Sequence, residues 1–277
     1  MNRSKIEWCD HTWNPITGCR QGCEYCYARK MTARFAGDVR LNLMAKKDYF
    51  IQEAADGSGQ VYILDKPMMN ETGKQLVYPF GFEPTYHRYR MDTLDKLKMG
   101  NNIFVGAMAD VFGAWVPEEW IRDIFAECMN RPQHNYLFLT KNPERYEAID
   151  FAGNLPMEKN FWYGSTLTTP EDRCFISNEH KTFWSIEPIH APFQIKDKSP
   201  DWIIIGAETG YRKEKVIPQR EWILDISDWC REAGIPIFMK DSLIPIIGEE
   251  NMRREYPKEL QRKTISGKMK KKNRKIF

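Results

Sequence analysis

Three cysteines near the start of the chain have the spacing Cys19-x3-Cys23-x2-Cys26. Three thiolates on one short loop can bind three irons of a cubane iron–sulfur cluster, which usually takes four cysteine ligands. With three ligands, one iron stays open to an exogenous ligand, just as a catalytic metal site keeps a free position. Gly22 supplies the backbone freedom that so tight a loop needs. The spacing therefore favours a cluster with an open iron.

A structural zinc site is the alternative interpretation of the same cysteines. Zinc takes four ligands, commonly as two pairs, and here the second pair is missing. His11 and Cys9 are the nearest candidates for it. This interpretation corresponds to a zinc-stabilised nucleic-acid-binding module without catalysis. The chain of 277 residues is longer than such a module needs.

The composition is that of an ordinary globular protein, with 42% hydrophobic and 29% charged residues. No apolar run approaches the ~18 residues that span a bilayer, and the first residues have no apolar core of a secretory signal. We therefore expect a cytoplasmic protein without membrane contact, in which thiols stay reduced. Seven cysteines, an odd number, do not form a disulfide framework there.

Short apolar runs alternate with helix-like segments along most of the chain, which is typical of a parallel α/β sheet covered on both faces. We predict a partial (β/α) barrel of about six to seven parallel strands over residues 1–250. A β-containing insertion occupies about 37–100, and a basic tail occupies 251–277. Among the predicted elements are a first strand at Thr12–Gly18 and a helix at Pro170–His180.

Polar residues follow the predicted strands at the edge where such barrels carry their chemistry. They are Asp110, Thr140 with Lys141, Ser165 with Thr166, Glu187, Glu208 with Thr209, and Lys240 with Asp241. Glu187 and Glu208 are the strongest candidates, because each ends an apolar strand, where an unpaired acid would be costly. Solvated loops and helix caps are the alternative for each position.

The cysteine motif, with the aromatic Tyr25 before Cys26 and its place after the first strand, resembles that of the radical S-adenosylmethionine (SAM) superfamily. The resemblance implies a [4Fe–4S] cluster whose open iron is chelated by SAM. It also implies reductive cleavage of SAM to methionine and a 5′-deoxyadenosyl radical, with electrons from an external flavodoxin- or ferredoxin-like donor. Segments such as SKIEWCDHTWNPITGC and FVGAMADVFGAWVPEEWI are similar to a phage-associated family with the three-cysteine motif, except that Cys9 stands where Thr is expected.

The resemblance also implies roles for individual residues. Cys19, Cys23 and Cys26 would ligate the cluster, and Tyr25 would cover it or stack on a bound base. Members of the superfamily usually meet the SAM amino group through a Gly-Gly-Glu-like motif, and here Asp110 stands in that region instead. The other predicted cofactor-binding residues, directed at the SAM ribose or carboxylate, are Ser165, Thr166, Glu187 and Glu208. No residue that would act on a substrate is identified.

Two basic segments raise the hypothesis of a nucleic acid or nucleotide substrate. His87, Arg88, Tyr89 and Arg90 combine positive charge with aromatic rings, as single-strand binding surfaces do. The segment 258–277 holds nine Lys or Arg against one acid, although the net charge of the chain is only +3. A solvated surface and a disordered tail are the alternative. Trp8 and Trp13 flank the cysteine loop and are expected to shield it from water.

Overall fold

The computed structural model describes residues 3–193, 199–210 and 212–261. Its strands, in chain order, are β1 (His11–Trp13), β2 (Ile16–Thr17), β3 (Phe50–Glu53), β4 (Gln60–Leu64), β5 (Thr85–His87), β6 (Asn102–Val105), β7 (Asn135–Thr140), β8 (Phe161–Leu167), β9 (Lys181–Ile186), β10 (Trp202–Ile205) and β11 (Ile237–Met239). Its helices are α1 (Tyr27–Phe35), α2 (Val39–Met44), α3 (Glu118–Met129), α4 (Glu144–Phe151), α5 (Arg220–Glu232) and α6 (Ile244–Ile247). Short 3-10 segments lie at Lys46–Asp48, Arg88–Lys96, Asp241–Leu243, Glu249–Asn251 and Lys258–Leu260.

Seven strands form the main sheet in the order β1-β6-β7-β8-β9-β10-β11, and every neighbouring pair is parallel. Strands β1 and β11 are its two edges, so the curled sheet is a half-barrel. The predicted partial (β/α) barrel with six to seven parallel strands is confirmed. Because the strands all point the same way, their carboxyl ends meet at one rim.

The two faces of the half-barrel are filled differently. On the inner face, alternate strand residues form a buried cluster of large side chains that includes Trp162, Phe183 and Trp202. On the outer face, α3 and α4 cover the strands from β6 to β8, and α5 covers β10 and β11. Burial on both faces explains the continuous apolar runs in the sequence.

A second sheet, in the order β2-β5-β4-β3, comes mostly from the predicted insertion. It packs against α3, where the Tyr86 ring lies 5.1 Å from the Trp120 ring and the Tyr86 hydroxyl donates to Asp123. The Trp120 indole N–H donates to Gln52 of β3 at 3.0 Å. Residues of both sheets belong to one buried cluster, so the insertion shares the core of the barrel.

The predicted single strand at Thr12–Gly18 is wrong, because this segment is divided between the two sheets. β1 pairs with β6 in the barrel, whereas β2 pairs with β5 in the small sheet. The break falls at Asn14 and Pro15. Proline has no N–H for a sheet and restricts the residue before it, so the chain turns there from one sheet to the other.

The predicted helix at Pro170–His180 is also wrong, since β8 and β9 are joined by an irregular connection. Asp172 accepts hydrogen bonds from the Thr168 and Thr169 N–H groups at 2.6 and 3.1 Å. The Ser165 hydroxyl accepts from the Phe175 N–H at 2.9 Å. Side-chain oxygens therefore accept hydrogen bonds from backbone N–H groups of this connection. Such hydrogen bonds compete with those of a helix.

The last described residues pack against the strands β10 and β11 of the barrel. The Arg254 segment bridges to β11, the Trp202 indole donates to the Glu255 carbonyl at 3.0 Å, and Leu260 is buried. The predicted boundary at residue 250 therefore does not mark the end of the packed chain. Most of the basic residues of the predicted tail, from Arg262 onward, lie outside the described residues. Among the described helices, none is long and apolar enough to cross a membrane.

Candidate functional site

The cysteine loop begins at Gly18, where the backbone must adopt a positive φ of 88°. A Cβ atom at this position would lie 2.2 Å from the Glu83 carbonyl oxygen, so glycine alone fits. The Gly18 N–H donates to the Met108 carbonyl, and the Cys19 N–H donates to the Phe82 carbonyl. The loop is thus held between the segment after β6 and the insertion.

The other end of the loop is the start of α1. Cys26 is the N-cap of this helix, and its sulfur accepts a hydrogen bond from the Arg29 N–H at 3.4 Å. The Cys19 sulfur accepts from the Gln21 N–H at 3.5 Å. Both sulfurs therefore accept a hydrogen bond from a backbone N–H group, which fixes their positions at the two ends of the loop.

The three cysteines line one cavity of about 580 Å³ at the carboxyl ends of the parallel strands. The cavity brings together most of the residues predicted to form the site. They are Cys19, Cys23, Tyr25, Cys26, Asp110, Thr166, Glu187 and Glu208. Burial raises the pKa of the Cys19 thiol to about 12, and the nearby Asp110 carboxylate adds to this effect. Within the described ranges, no three His, Cys, Asp or Glu side chains converge closely enough to hold a single metal ion.

Ser165 does not reach the cavity. It is fully buried, and its hydroxyl is directed at the Phe175 N–H in the connection after β8. Its neighbour Thr166 lines the cavity. Because successive strand residues point to opposite faces, Ser165 and Thr166 could not both face the cavity.

Asp110 connects three parts of the site. One carboxylate oxygen accepts from the Thr140 hydroxyl at 2.7 Å and the Phe112 N–H at 3.1 Å. The other accepts from the Lys141 N–H at 3.0 Å and the Gln21 amide at 3.4 Å. Burial raises the pKa of Asp110 from its ordinary value, although these four donors act in the opposite direction. Asp110 thereby fixes the ends of β6 and β7 against the cysteine loop.

Glu187 and Lys240 form an ion pair between the ends of β9 and β11, and both line the cavity. Their side chains are 26% and 18% exposed, so the pair is partly shielded from water. Gly206, at the end of β10, leaves room for them, since a Cβ there would lie 3.2 Å from the Glu187 carboxylate. The pair places one negative and one positive group side by side on the cavity wall.

Glu208 belongs to a second charged group, which reaches the cysteine loop. Its carboxylate accepts two hydrogen bonds from the Arg212 guanidinium, at 2.9 and 2.8 Å. The same guanidinium donates to Glu24, between Cys23 and Cys26, at 3.0 Å. The hydrogen bonds from Arg212 lower the pKa of Glu208. Arg212 therefore ties the segment after β10 to the cysteine loop.

Tyr25 lies between two side chains of neighbouring rim segments. The Lys141 ammonium is 5.2 Å from the centre of its ring, and the His190 ring packs against it edge to face at 5.8 Å. Burial raises the pKa of the Tyr25 hydroxyl, and the nearby Cys23 sulfur raises it further. The ring is therefore held in place beside the last cysteine.

The basic–aromatic segment at 87–90 does not form a common exposed surface. His87 is fully buried, and its ring pairs with the Thr17 hydroxyl at 2.8 Å. The Arg90 guanidinium donates to the Asn14 and Val77 carbonyls at 3.1 and 3.0 Å. These side chains hold the insertion together.

The expectation that two tryptophans shield the loop fits only Trp8, which lines the cavity.

Several cavity residues were missing from the sequence-based prediction. Ser185 lines the cavity two residues before Glu187, and the period of two along a strand could have revealed it. Gln21, Lys30 and Arg34 also line it, but no spacing signal marks them. Arg212 could not be found, because its contact with Glu24 joins residues far apart in the sequence.

The family model described as "Protein of unknown function (DUF5131)" matches residues 3–271. This chain belongs to the DUF5131 family. The match spans the cysteine loop and, in the part of this DUF5131 protein that the structure describes, both sheets and the six helices. Searches among curated proteins and among solved structures give no match.

Proposed function

We propose that this chain is a radical SAM enzyme that binds a [4Fe–4S] cluster through Cys19, Cys23 and Cys26. One observation carries the proposal: three thiols of one short loop line a single cavity at the carboxyl ends of parallel strands. In α/β barrels this rim carries the chemistry. The motif resemblance, with Tyr25 before Cys26, supports the same assignment.

The residues around the cavity fit the two groups. Three thiols supply ligands for three irons and leave the fourth for an exogenous ligand. A cavity of about 580 Å³ has the size of small-molecule sites in proteins. When bound, the cluster supplies the electron that cleaves SAM to methionine and a 5′-deoxyadenosyl radical.

The protein's own side chains would bind and orient SAM. Glu187 and Lys240 offer paired opposite charges, which suit the amino and carboxylate groups of an amino acid. The Thr166 and Ser185 hydroxyls and the Glu208 carboxylate line the same cavity and are suitable partners for ribose hydroxyls. Since Asp110 already accepts four hydrogen bonds, its role is to hold the rim in place.

Apolar residues on the cavity wall would keep water from the reacting groups. Trp8 and Phe104 are almost completely buried and pack with rings 4.8 Å apart, and Leu139 lies beside them on the wall. Exclusion of water prevents the loss of a reactive intermediate to side reactions. The electrons would come from an external flavodoxin- or ferredoxin-like protein.

The first test is anaerobic reconstitution of the full chain with iron and sulfide. We expect brown protein, an iron and sulfide content of one cluster per chain, and 5′-deoxyadenosine after reduction in the presence of SAM. Replacing Cys19, Cys23 and Cys26 with Ser should abolish both the bound iron and the 5′-deoxyadenosine, because a cluster depends on its thiolate ligands.

Cys174→Ser provides the matched control, because Cys174 is also partly buried but lies outside the loop. This variant should keep its iron. Iron that stays bound to the triple variant would overturn the proposal. One colourless zinc ion per chain in place of iron would support the zinc-binding module instead.

A further inference from the structure

Helix α1 presents an exposed aromatic and basic face at the mouth of the cavity. Tyr27, Met31 and Phe35 are 52%, 41% and 59% exposed, although all three are large and apolar. Lys30 and Arg34 lie beside them, and all five side chains line the cavity. Because each helical residue turns the chain by about 100°, the five share an arc of roughly 140° on one side of the helix. We call these five residues the α1 face.

The opposite side of α1 contacts the protein through three of its residues. Ala28 and Thr32 are buried against the body. Arg29 is exposed, but its guanidinium lies 4.8 Å from the centre of the Phe82 ring and donates to the Cys19 carbonyl at 3.4 Å. The Tyr27 hydroxyl donates to the Ala107 carbonyl, which fixes its ring at the rim. The α1 face is therefore held rigidly beside the cysteine loop that precedes the helix.

The α1 face carries two cations and no acid, and Lys30 lies near enough to the Glu208 carboxylate to lower its pKa. The cavity acids Glu187 and Glu208 are each already paired, with Lys240 and Arg212. Among the described residues, no carboxylate forms an ion pair with Lys30 or Arg34. Two unpaired cations next to exposed rings suit a ligand that carries both negative charge and flat aromatic groups.

We propose that the α1 face binds single-stranded nucleic acid and brings one nucleotide to the cavity. Lys30 and Arg34 would contact phosphates, while Tyr27 and Phe35 would stack on bases, as in other single-strand binding surfaces. The two rings lie eight residues apart, or about 12 Å along the helix, so they would contact bases that are not adjacent in an extended strand. The inference deepens the proposed function and rests on it for the chemistry, but binding itself requires no cluster.

The test is binding of a fluorescein-labelled oligothymidine to the full chain, measured by fluorescence anisotropy across a range of salt. Tyr27→Leu with Phe35→Leu should weaken binding at least about fivefold, because each stacked base contributes measurably to affinity. Lys30→Gln with Arg34→Gln should lower the slope of log K against log salt by about 1.4, or about 0.7 for each lost phosphate contact. An abasic strand of equal length should bind the parent more weakly than oligothymidine.

The matched control is Phe151→Leu with Lys159→Gln. Both residues are exposed, Phe151 by 97%, but they lie at the end of α4 and just before β8, away from the cavity. This control should change neither affinity nor salt slope. Since the basic segment beyond residue 261 is present in every variant, its contribution cancels in the comparison.

Three results would overturn the inference. The first is no binding by the parent at low salt, and the second is equal binding by the parent and both α1 variants. The third is that both α1 variants lose binding to an acidic flavodoxin-like protein but keep their binding to oligothymidine. That result would make the α1 face a protein-docking surface. Failure of the proposed function is distinguishable, because a chain without iron can still bind oligothymidine. RNA of the same length separates the two kinds of nucleic acid.

Discussion

At the scale of single residues, Asp110, which is one of the predicted cofactor-binding residues, lines the cavity and also connects its parts. Its two oxygens accept hydrogen bonds from Gln21, Phe112, Thr140 and Lys141. Phe112 and Lys141 follow β6 and β7, Thr140 is the last residue of β7, and Gln21 is in the cysteine loop. A carboxylate is suited to this task because it accepts hydrogen bonds at both oxygens and donates none.

We predict that Asp110→Asn destabilises the protein by about 1–3 kcal/mol. The amide nitrogen of Asn would face N–H or O–H donors and leave at least one buried donor unsatisfied. Urea unfolding under reducing conditions measures the change. Asp65→Asn is the control, since Asp65 forms an exposed ion pair with Arg88 and should contribute less than about 1 kcal/mol. Equal effects of the two substitutions would contradict the structural role of Asp110.

At the scale of elements, the connection between β8 and β9 depends on side-chain hydrogen bonds where a helix was expected. Partial burial alone would raise the pKa of Asp172. The N–H groups of Thr168 and Thr169 and the Thr168 hydroxyl outweigh this effect, so the pKa is lowered from its ordinary 3.8. The carboxylate form therefore stabilises the folded connection.

We predict a pH-dependent effect of Asp172→Asn. A lowered pKa means that the stabilisation is fully present above the ordinary value of 3.8 and is lost as pH falls through the lower folded value. The urea midpoint of the variant should therefore lie below that of the parent at pH 7, and the gap should narrow under acid conditions. A gap that widens as pH falls would contradict the assigned hydrogen bonds.

At the scale of the whole molecule, the insertion and the barrel are joined through one core. Trp120 of α3 is 1% exposed and contacts Tyr86 of β5 and Gln52 of β3. Tyr86 in turn pairs with Asp123 of the same helix. We therefore expect the two sheets to unfold together.

We predict that Trp120→Ala costs about 3–5 kcal/mol and loosens both sheets. Hydrogen exchange should become faster in Gln60–Leu64 of the small sheet as well as in Asn102–Val105 of the barrel. Trp229→Ala is the control, since Trp229 of α5 packs with the cluster of β10 and β11. Its effect should be confined to that side. Faster exchange in only one sheet after Trp120→Ala would contradict a shared core.

The sequence predicted the architecture well where local signals decide it. Continuous apolar runs such as WIII mark strands covered on both faces, and β7 begins and ends where its run NYLFLT does. The helix predicted at Pro170–His180 failed because the Asp172 carboxylate and the Ser165 hydroxyl accept hydrogen bonds from backbone N–H groups there, which competes with helix formation. Such local competition leaves no periodic signal in the sequence.

The candidate site, like the fold, was predicted from the sequence only in part. Residues that end apolar strands, such as Glu187 and Glu208, do reach the cavity, because the carboxyl ends of parallel strands meet at one rim. Ser165 does not, since it points to the opposite face from Thr166. The contacts of Arg212 and the α1 face come from the tertiary arrangement, which neither composition nor spacing contains.

The hydrogen bond between Arg212 and Glu24 joins two parts of the site that the ribosome synthesises at different times. The cysteine loop is translated before most of the cavity, and Lys240, which lines the same cavity, follows about 210 residues later. At ordinary rates of translation this interval lasts about 10 to 40 s. During that time the three thiols lack the walls that later enclose them. Any metal centre that depends on the finished cavity would therefore be loaded only after Lys240 has been translated, and oxidation of the exposed loop would compete with that loading.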